Sequence, residues 1–362
     1  MPTTKLPPQK NTRTILGSVQ ADPGKIFLPD ENHWARQYYK AGVANNWVPQ
    51  EVPMGEDIKQ WTDPSFLSAA ERKLILLNLG FFSTAESLTA NNLTVIFPHI
   101  TNFECQQYLI RQAFEETIHS ETFIYCCESL KLNQNEKNEI YNMRFNIPSI
   151  KEKDDFVIEL TKSISNPSFR INNEDDVKLF LKDLIGYYVI MEGIFFYAGF
   201  AMMLALRRSN KMVGIGDQFW FIMRDESLHL AFGCGLINTI TGAKPLEFGR
   251  GEYPQVWTED FKDEITKKIK KAVELEKKYA LEACPEGIVG INAQQFCEYV
   301  EYIADRRLER IGLPTYYKTA EADHPFPWMS QSVDLNKEKN FFETRLTEYQ
   351  TGSLKWDEEE EK

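Results

Sequence analysis

Two short stretches, "EETIH" at 115–119 and "RDESLHL" at 224–230, each place a glutamate three residues before a histidine: Glu116 with His119, and Glu226 with His229. On a helix, side chains at i and i+3 share a face, so each pair offers one carboxylate and one imidazole in the same direction. Only five histidines occur in the chain, and two of them fall into this spacing. If both pairs look at one centre, the chain must bring long helices together with polar groups facing inward.

The apolar pattern supports such helices. "SAAE" at 68–71 has the form of a capping box, Ser68 with Glu71, ahead of Leu79, Phe82 and Leu93 at helical spacing, and Pro98 should end that helix. A second helix is expected over about 103–130. A polar stretch over 131–175, with prolines at 148 and 167, reads as a long connection with shorter helices. Further helical patterns cover about 176–207, 212–240, the amphipathic "FKDEITKKIKKAVELEKKYALEA" after 260, and 292–310. Strand-like alternation is scarce and no fixed repeat appears, so the fold class expected is all-α. The proline-bearing residues 1–40 read as an arm, 41–325 as the bundle and 326–362 as a flexible tail.

Two more carboxylates complete the set. Glu86 falls in the stripe of Leu79, Phe82 and Leu93, and Glu192 in the stripe of Ile185, Tyr188, Phe195 and Phe196. A carboxylate so placed is protonated, paired or bound to a metal, because an isolated buried charge is too costly. Either glutamate alone would more often be an ordinary edge residue. Together, in the order Glu, Glu-x-x-His, Glu, Glu-x-x-His, they supply the donors of a ferritin-like bundle that holds two metal ions. Carboxylate with imidazole suits iron and manganese better than thiolate-loving sites do.

Composition narrows the partners. The chain is 43% hydrophobic and 26% charged, with a net charge of −12 and an acidic run, "DEEEE", at 357–361. Such a surface repels phosphate backbones and anionic lipid, so neither nucleic acid nor membrane is an expected partner. The apolar run "GIFFYAGFAMMLAL" at 193–206 is shorter than the roughly 20 residues a span needs. No signal-peptide pattern opens the sequence, and a cytosolic protein is expected. The six cysteines lack C-x-x-C spacing and are read as buried free thiols.

With these motifs, and with "EGIFFYAGF" around Glu192 and "FFETRLTEYQ" at 341–350, the chain from about Trp47 to Tyr349 resembles the small, radical-generating subunit of class I ribonucleotide reductase. The resemblance implies a homodimer whose metal ligands are Glu86, Glu116, His119, Glu192, Glu226 and His229. It implies a metal pair that reacts with molecular oxygen, stores a one-electron oxidising equivalent and passes it to a cysteine of a separate large subunit. That subunit is bound through the C-terminal tail. Trp47, in "NNWVPQEVP", matches the tryptophan of the transfer route, with Asp225 linking it to His119, and Tyr349 matches the tyrosine on the tail.

Two positions depart from the usual pattern. The tyrosine that carries the stable radical is replaced by Phe123, one turn after His119, and the usual first-ligand aspartate by Glu86. This pair of changes resembles the class Ic subgroup, whose manganese–iron centre itself holds the oxidising equivalent; di-iron or di-manganese loading is also compatible with the ligands. Phe196, Phe200 and Ile222 would then form an apolar wall around it. Tyr125 is a poor substitute for the missing phenol, since two residues past Phe123 it points about 200° around the helix. A tyrosine used by some manganese–iron members for activation electrons corresponds here to Phe221, beside Trp220. The alternative reading is a ligand-binding oxidase of the same fold.

Overall fold

The computed structural model describes residues 15–16, 32–248 and 250–329. Most of the expected arm, Tyr349 and the acidic run lie outside them. Among the described residues there is no strand, only isolated bridges, and the all-α expectation holds.

The helices are α1 (His33–Ala44), α2 (Gly55–Thr62), α3 (Ala69–Ile96), α4 (Phe103–Ser129), α5 (Gln134–Asn146) and α6 (Pro148–Thr161). After them come α7 (Glu174–Leu184), a π-helical segment (Ile185–Phe195), α8 (Tyr197–Arg208), α9 (Val213–Thr241), the short α10 (Pro245–Phe248), α11 (Glu259–Ala283) and α12 (Ala293–Arg310). The last eight residues assigned to the arm thus belong to α1, which packs on α4 and α9. Its buried face, Ala35, Ala41 and Gly42, has helical spacing, although Ala and Gly give little hydrophobic signal.

Local chemistry fixes the ends of the long helices. Ser68 and Glu71 form the expected capping box: Ser68 Oγ accepts from the Glu71 N–H at 3.2 Å, and Glu71 Oε2 from the Ser68 N–H at 2.8 Å. The helix stops where Pro98 enters a 3₁₀ turn. Asn102 caps α4 through the Cys105 N–H, at 3.0 Å. The N-terminus of α9 has no side-chain cap of its own. The buried Asp57 of α2 accepts from the Gly214 and Ile215 N–H groups instead, at 2.8 Å each.

α3, α4, the π segment with α8, and α9 form the central bundle, and the other helices cover it. The polar stretch 131–175 contains α5 and α6, which close one side over α3 and the π segment. All six cysteines are free and buried. The apolar run 193–206 belongs to a longer continuous stretch, Glu174–Arg208, which is long and apolar enough to cross a membrane by length and composition. The most apolar window of that stretch is wholly buried, as a core helix requires.

The sequence pattern gave no sign of the π segment. A helix wound with i→i+5 bonds is rare beyond a single turn and needs outside support. Two buried cations supply it: Lys153 of α6 donates to the Phe195 carbonyl at 3.0 Å, and Arg307 of α12 to the Gly193 carbonyl at 2.9 Å. Lys153 is paired with the equally buried Glu276 of α11, which accepts from the Ala198 N–H at 3.3 Å. Breaking such a pair from one side strands a charge, so Lys153→Met should cost roughly 3–5 kcal/mol in chemical denaturation. The double variant Lys153→Met/Glu276→Leu should recover much of the loss.

Candidate metal centre

Each helix of the central bundle delivers its polar residue inward. Glu86 comes from α3, Glu116 and His119 from α4, Glu192 from the π segment, and Glu226 and His229 from α9. All six are completely buried. Their donor atoms fall into two overlapping groups, Glu86, Glu116, His119 and Glu226, and Glu116, Glu192, Glu226 and His229, each with its atoms within 4.8 Å of one another.

The overlap has a definite geometry. His119 Nδ1 lies 3.3 Å from Glu86 Oε2, 3.6 Å from Glu116 Oε2 and 3.2 Å from Glu226 Oε1. His229 Nδ1 lies 3.3 Å from Glu116 Oε1, 3.4 Å from Glu226 Oε2 and 3.9 Å from Glu192 Oε1. Glu116 and Glu226 therefore each turn one oxygen to either imidazole, the arrangement two carboxylates need to bridge a pair of cations. Among the described residues, Glu86 Oε1, Glu192 Oε2, both Glu226 oxygens and His229 Nδ1 have no hydrogen-bond partner. Buried polar atoms left bare in this way are costly. Four inward carboxylates would be balanced in charge by two divalent cations, so the donor set fits a dinuclear metal site.

The outer nitrogens of the two imidazoles are held in matching ways. His119 Nε2 faces Asp225 Oδ2 at 3.4 Å, and the same oxygen accepts from Trp47 Nε1 at 2.7 Å. His229 Nε2 faces Glu115 Oε2 at 2.9 Å, and Glu115 Oε1 accepts from Arg111 Nε at 2.9 Å. Such outer partners orient ligand histidines and fix which nitrogen faces the metal. The first chain includes the Trp47 and Asp225 singled out from sequence. The second was not anticipated, because Glu115 sits beside Glu116 and looks like a surface charge until the helix is placed.

A further layer was also missed. Gln112 Nε2 donates to Glu192 Oε1 at 3.2 Å and to the Tyr187 hydroxyl at 3.0 Å, while its Oε1 accepts from the Tyr188 hydroxyl at 2.9 Å. Gly233, one turn past His229, leaves the room that the Tyr188 ring fills, where any Cβ would collide with it.

The remaining sequence-singled residues are aromatic or apolar. Phe123 is buried, stacked on Phe82 at 5.9 Å between ring centres and edge-on to Phe219 at 5.7 Å. Phe82 also meets Phe196 at 4.9 Å and Phe200 at 5.1 Å, and Ile222 is fully buried. Tyr125 points away, its hydroxyl donating to the Val52 carbonyl at 3.3 Å. Phe221 stacks on Trp47 at 5.0 Å, with Trp220 edge-on to it at 5.3 Å.

Burial pushes the carboxyls of Glu86 and Glu192 well above their ordinary range. Burial also works against charge on the imidazoles, yet the surrounding carboxylates, Glu86 foremost for His119 and Glu226 for His229, hold both well above the usual histidine value. Glu116 and Asp225 move the other way against the same burial, through the imidazoles close beside them. Groups with raised values bind more protons folded than unfolded, so their contribution is present at low pH and is lost as pH rises. The contributions of Glu116 and Asp225 are lost only in acid. Metal-free protein should therefore melt at a lower temperature at pH 8 than at pH 6. Metal loading, which needs deprotonated ligands, should shrink or reverse that difference in paired thermal melts.

Comparison with known proteins agrees with this geometry. The family described as ribonucleotide reductase, small chain, matches residues 26–325. The ribonucleoside-diphosphate reductase subunit beta of Chlamydia pneumoniae is 53% identical over 344 residues, covering 94% of each chain. Among solved structures, the ribonucleotide reductase R2 subunit from Clostridium botulinum superposes with a TM-score of 0.74 at 26% identity, over 83% of this chain and 88% of that one. The Rnr4 homodimer of Saccharomyces cerevisiae shares the fold, with a TM-score of 0.67 at 21% identity over 90% and 92%. With a family match spanning the whole bundle and all six inward donors in place, the chain belongs to the ribonucleotide reductase small-chain family.

Proposed function

We propose that the chain is the radical-generating subunit of a ribonucleoside-diphosphate reductase that keeps its oxidising equivalent on a manganese–iron pair. The observation that carries this reading is Phe123: a ring without a hydroxyl, one turn after His119 and enclosed by Phe82 and Phe219. Tyr125 is turned outward to Val52, which supports the same reading. When bound, the metal pair would supply a one-electron oxidant formed with molecular oxygen.

The protein's part is to hold, shield and conduct. Glu86 with His119 would serve one ion and Glu192 with His229 the other, with Glu116 and Glu226 shared. Phe196, Phe200 and Ile222 would exclude water. Asp225 accepts hydrogen bonds from Trp47 and faces His119, and this chain supports a route for the electron from Trp47 inward. Tyr349, outside the described residues, would continue the route on a C-terminal tail that binds the large subunit. We further propose a homodimer working in the cytosol. Carboxylate and imidazole donors accept manganese or iron, so di-iron and di-manganese forms share the ligands. The reductase names of the relatives do not favour the ligand-binding oxidase reading.

Electron paramagnetic resonance on protein loaded with manganese plus iron and exposed to air tests the proposal. The expected result is reductase activity with no tyrosyl signal, little activity with iron alone, and unchanged activity in Tyr125→Phe. Full activity with iron alone would overturn the metal assignment.

A further inference from the structure

All six inward donors are sealed from solvent, so a reactant must cross the protein to reach them. A cavity of about 240 Å³ enters the surface between α3, α6 and the π segment. Thr89 and Tyr187, both almost completely buried, are among its lining. Both touch the same carboxylate: Thr89 Oγ1 donates to Glu116 Oε2 at 3.0 Å, and the Tyr187 hydroxyl to Glu116 Oε1 at 3.4 Å. One layer of side chains therefore separates the cavity from the centre of the donor cluster.

The lining selects what can travel there. Leu88, Val95, Val157 and Met191 give most of its wall, beside neutral amide and hydroxyl groups such as Asn91 and Ser165, and no carboxylate among the described residues lines it. Lys162, exposed and paired with Glu159, is the one charged residue among its lining. A hydrated divalent cation would find only neutral amide and hydroxyl groups on a mostly apolar wall, with no negative charge to offset the loss of its water. An anion would likewise have to shed water against the apolar walls. A small uncharged gas loses nothing by entering. A water molecule occupies about 30 Å³ of liquid, so the space easily admits a diatomic molecule.

We propose that this cavity is the route by which dioxygen reaches the metal pair, with Thr89 and Tyr187 as its inner gate. The inference rests on the oxygen-dependent function proposed above. Xenon, an apolar gas of suitable size, probes the cavity without any metal: crystals pressurised with xenon should show an atom between Val157 and Met191. Val157→Phe should remove that atom. In protein loaded with manganese and iron at unchanged stoichiometry, it should also slow the second-order reaction with oxygen by about tenfold or more, a barrier increase of about 1.4 kcal/mol. Ile158→Trp, at the 38% exposed mouth, blocks the same path without disturbing the core and serves if Val157→Phe does not fold. A variant that has lost xenon but reacts with oxygen at the parent rate overturns the route alone. A loaded parent protein that takes up no oxygen overturns both the route and the function on which it rests.

Discussion

In a Glu226→Ala variant both metal ions should be lost together, whereas Glu86→Ala and Glu192→Ala should each weaken mainly one. The reason is the division of the Glu226 carboxylate, whose Oε1 faces His119 at 3.2 Å and whose Oε2 faces His229 at 3.4 Å. Removing it takes a donor and a negative charge from both positions. Glu86 and Glu192 each belong to a single group of donors. Metal content by mass spectrometry after dialysis against a weak chelator reads the difference directly. Reductase activity should vanish in Glu226→Ala, since two-metal chemistry needs both ions. Loss of a single metal in that variant would show that the carboxylate does not bridge.

Trp47→Phe is expected to separate metal chemistry from turnover. The smaller ring still stacks on Phe221 but has no N–H to give Asp225 at 2.7 Å. Metal stoichiometry and oxygen uptake should stay as in the parent protein, because none of the six inward donors is changed. Turnover with the large subunit should fall about a hundredfold or more, which corresponds to about 2.7 kcal/mol of added barrier. Tyr349→Phe should give the same separation if the tail carries the next step. Turnover retained in Trp47→Phe would reduce Trp47 to a packing residue that anchors the loop before α2.

The parts of the site legible in the sequence are those with a helical period. Glu116 with His119 and Glu226 with His229 could be paired because residues three apart share a face in any α-helix. Glu86 and Glu192 stood out as charges inside apolar stripes. Glu115 and Arg111 carried no such signal, since a glutamate four residues after an arginine is also an ordinary surface pair; only the position of α9 turns Glu115 toward His229. Gln112 and Tyr187 were hidden for a related reason. Their partners lie on different helices, 80 and 71 residues away. The small-residue face of α1 was too faint to read as a helix, and the cations under the π segment gave no pattern at all.

The wide winding across 185–195 makes the number of residues, and not only their identity, part of the site. Along an α-helix each residue turns the chain by about 100°. Rewinding the same residues as α, with none removed, would keep the hydrophobic character of the stretch. The carboxylate would nonetheless swing away from Glu226, and the carbonyls now met by Lys153 and Arg307 would turn away from them. The broad segment therefore works as a spacer in angle: it absorbs surplus residues so that α7 before it and α8 after it both keep their faces on the core. An α-wound version of this helix with every residue in place would still look right to a pattern search, and it would have lost its acid from the centre.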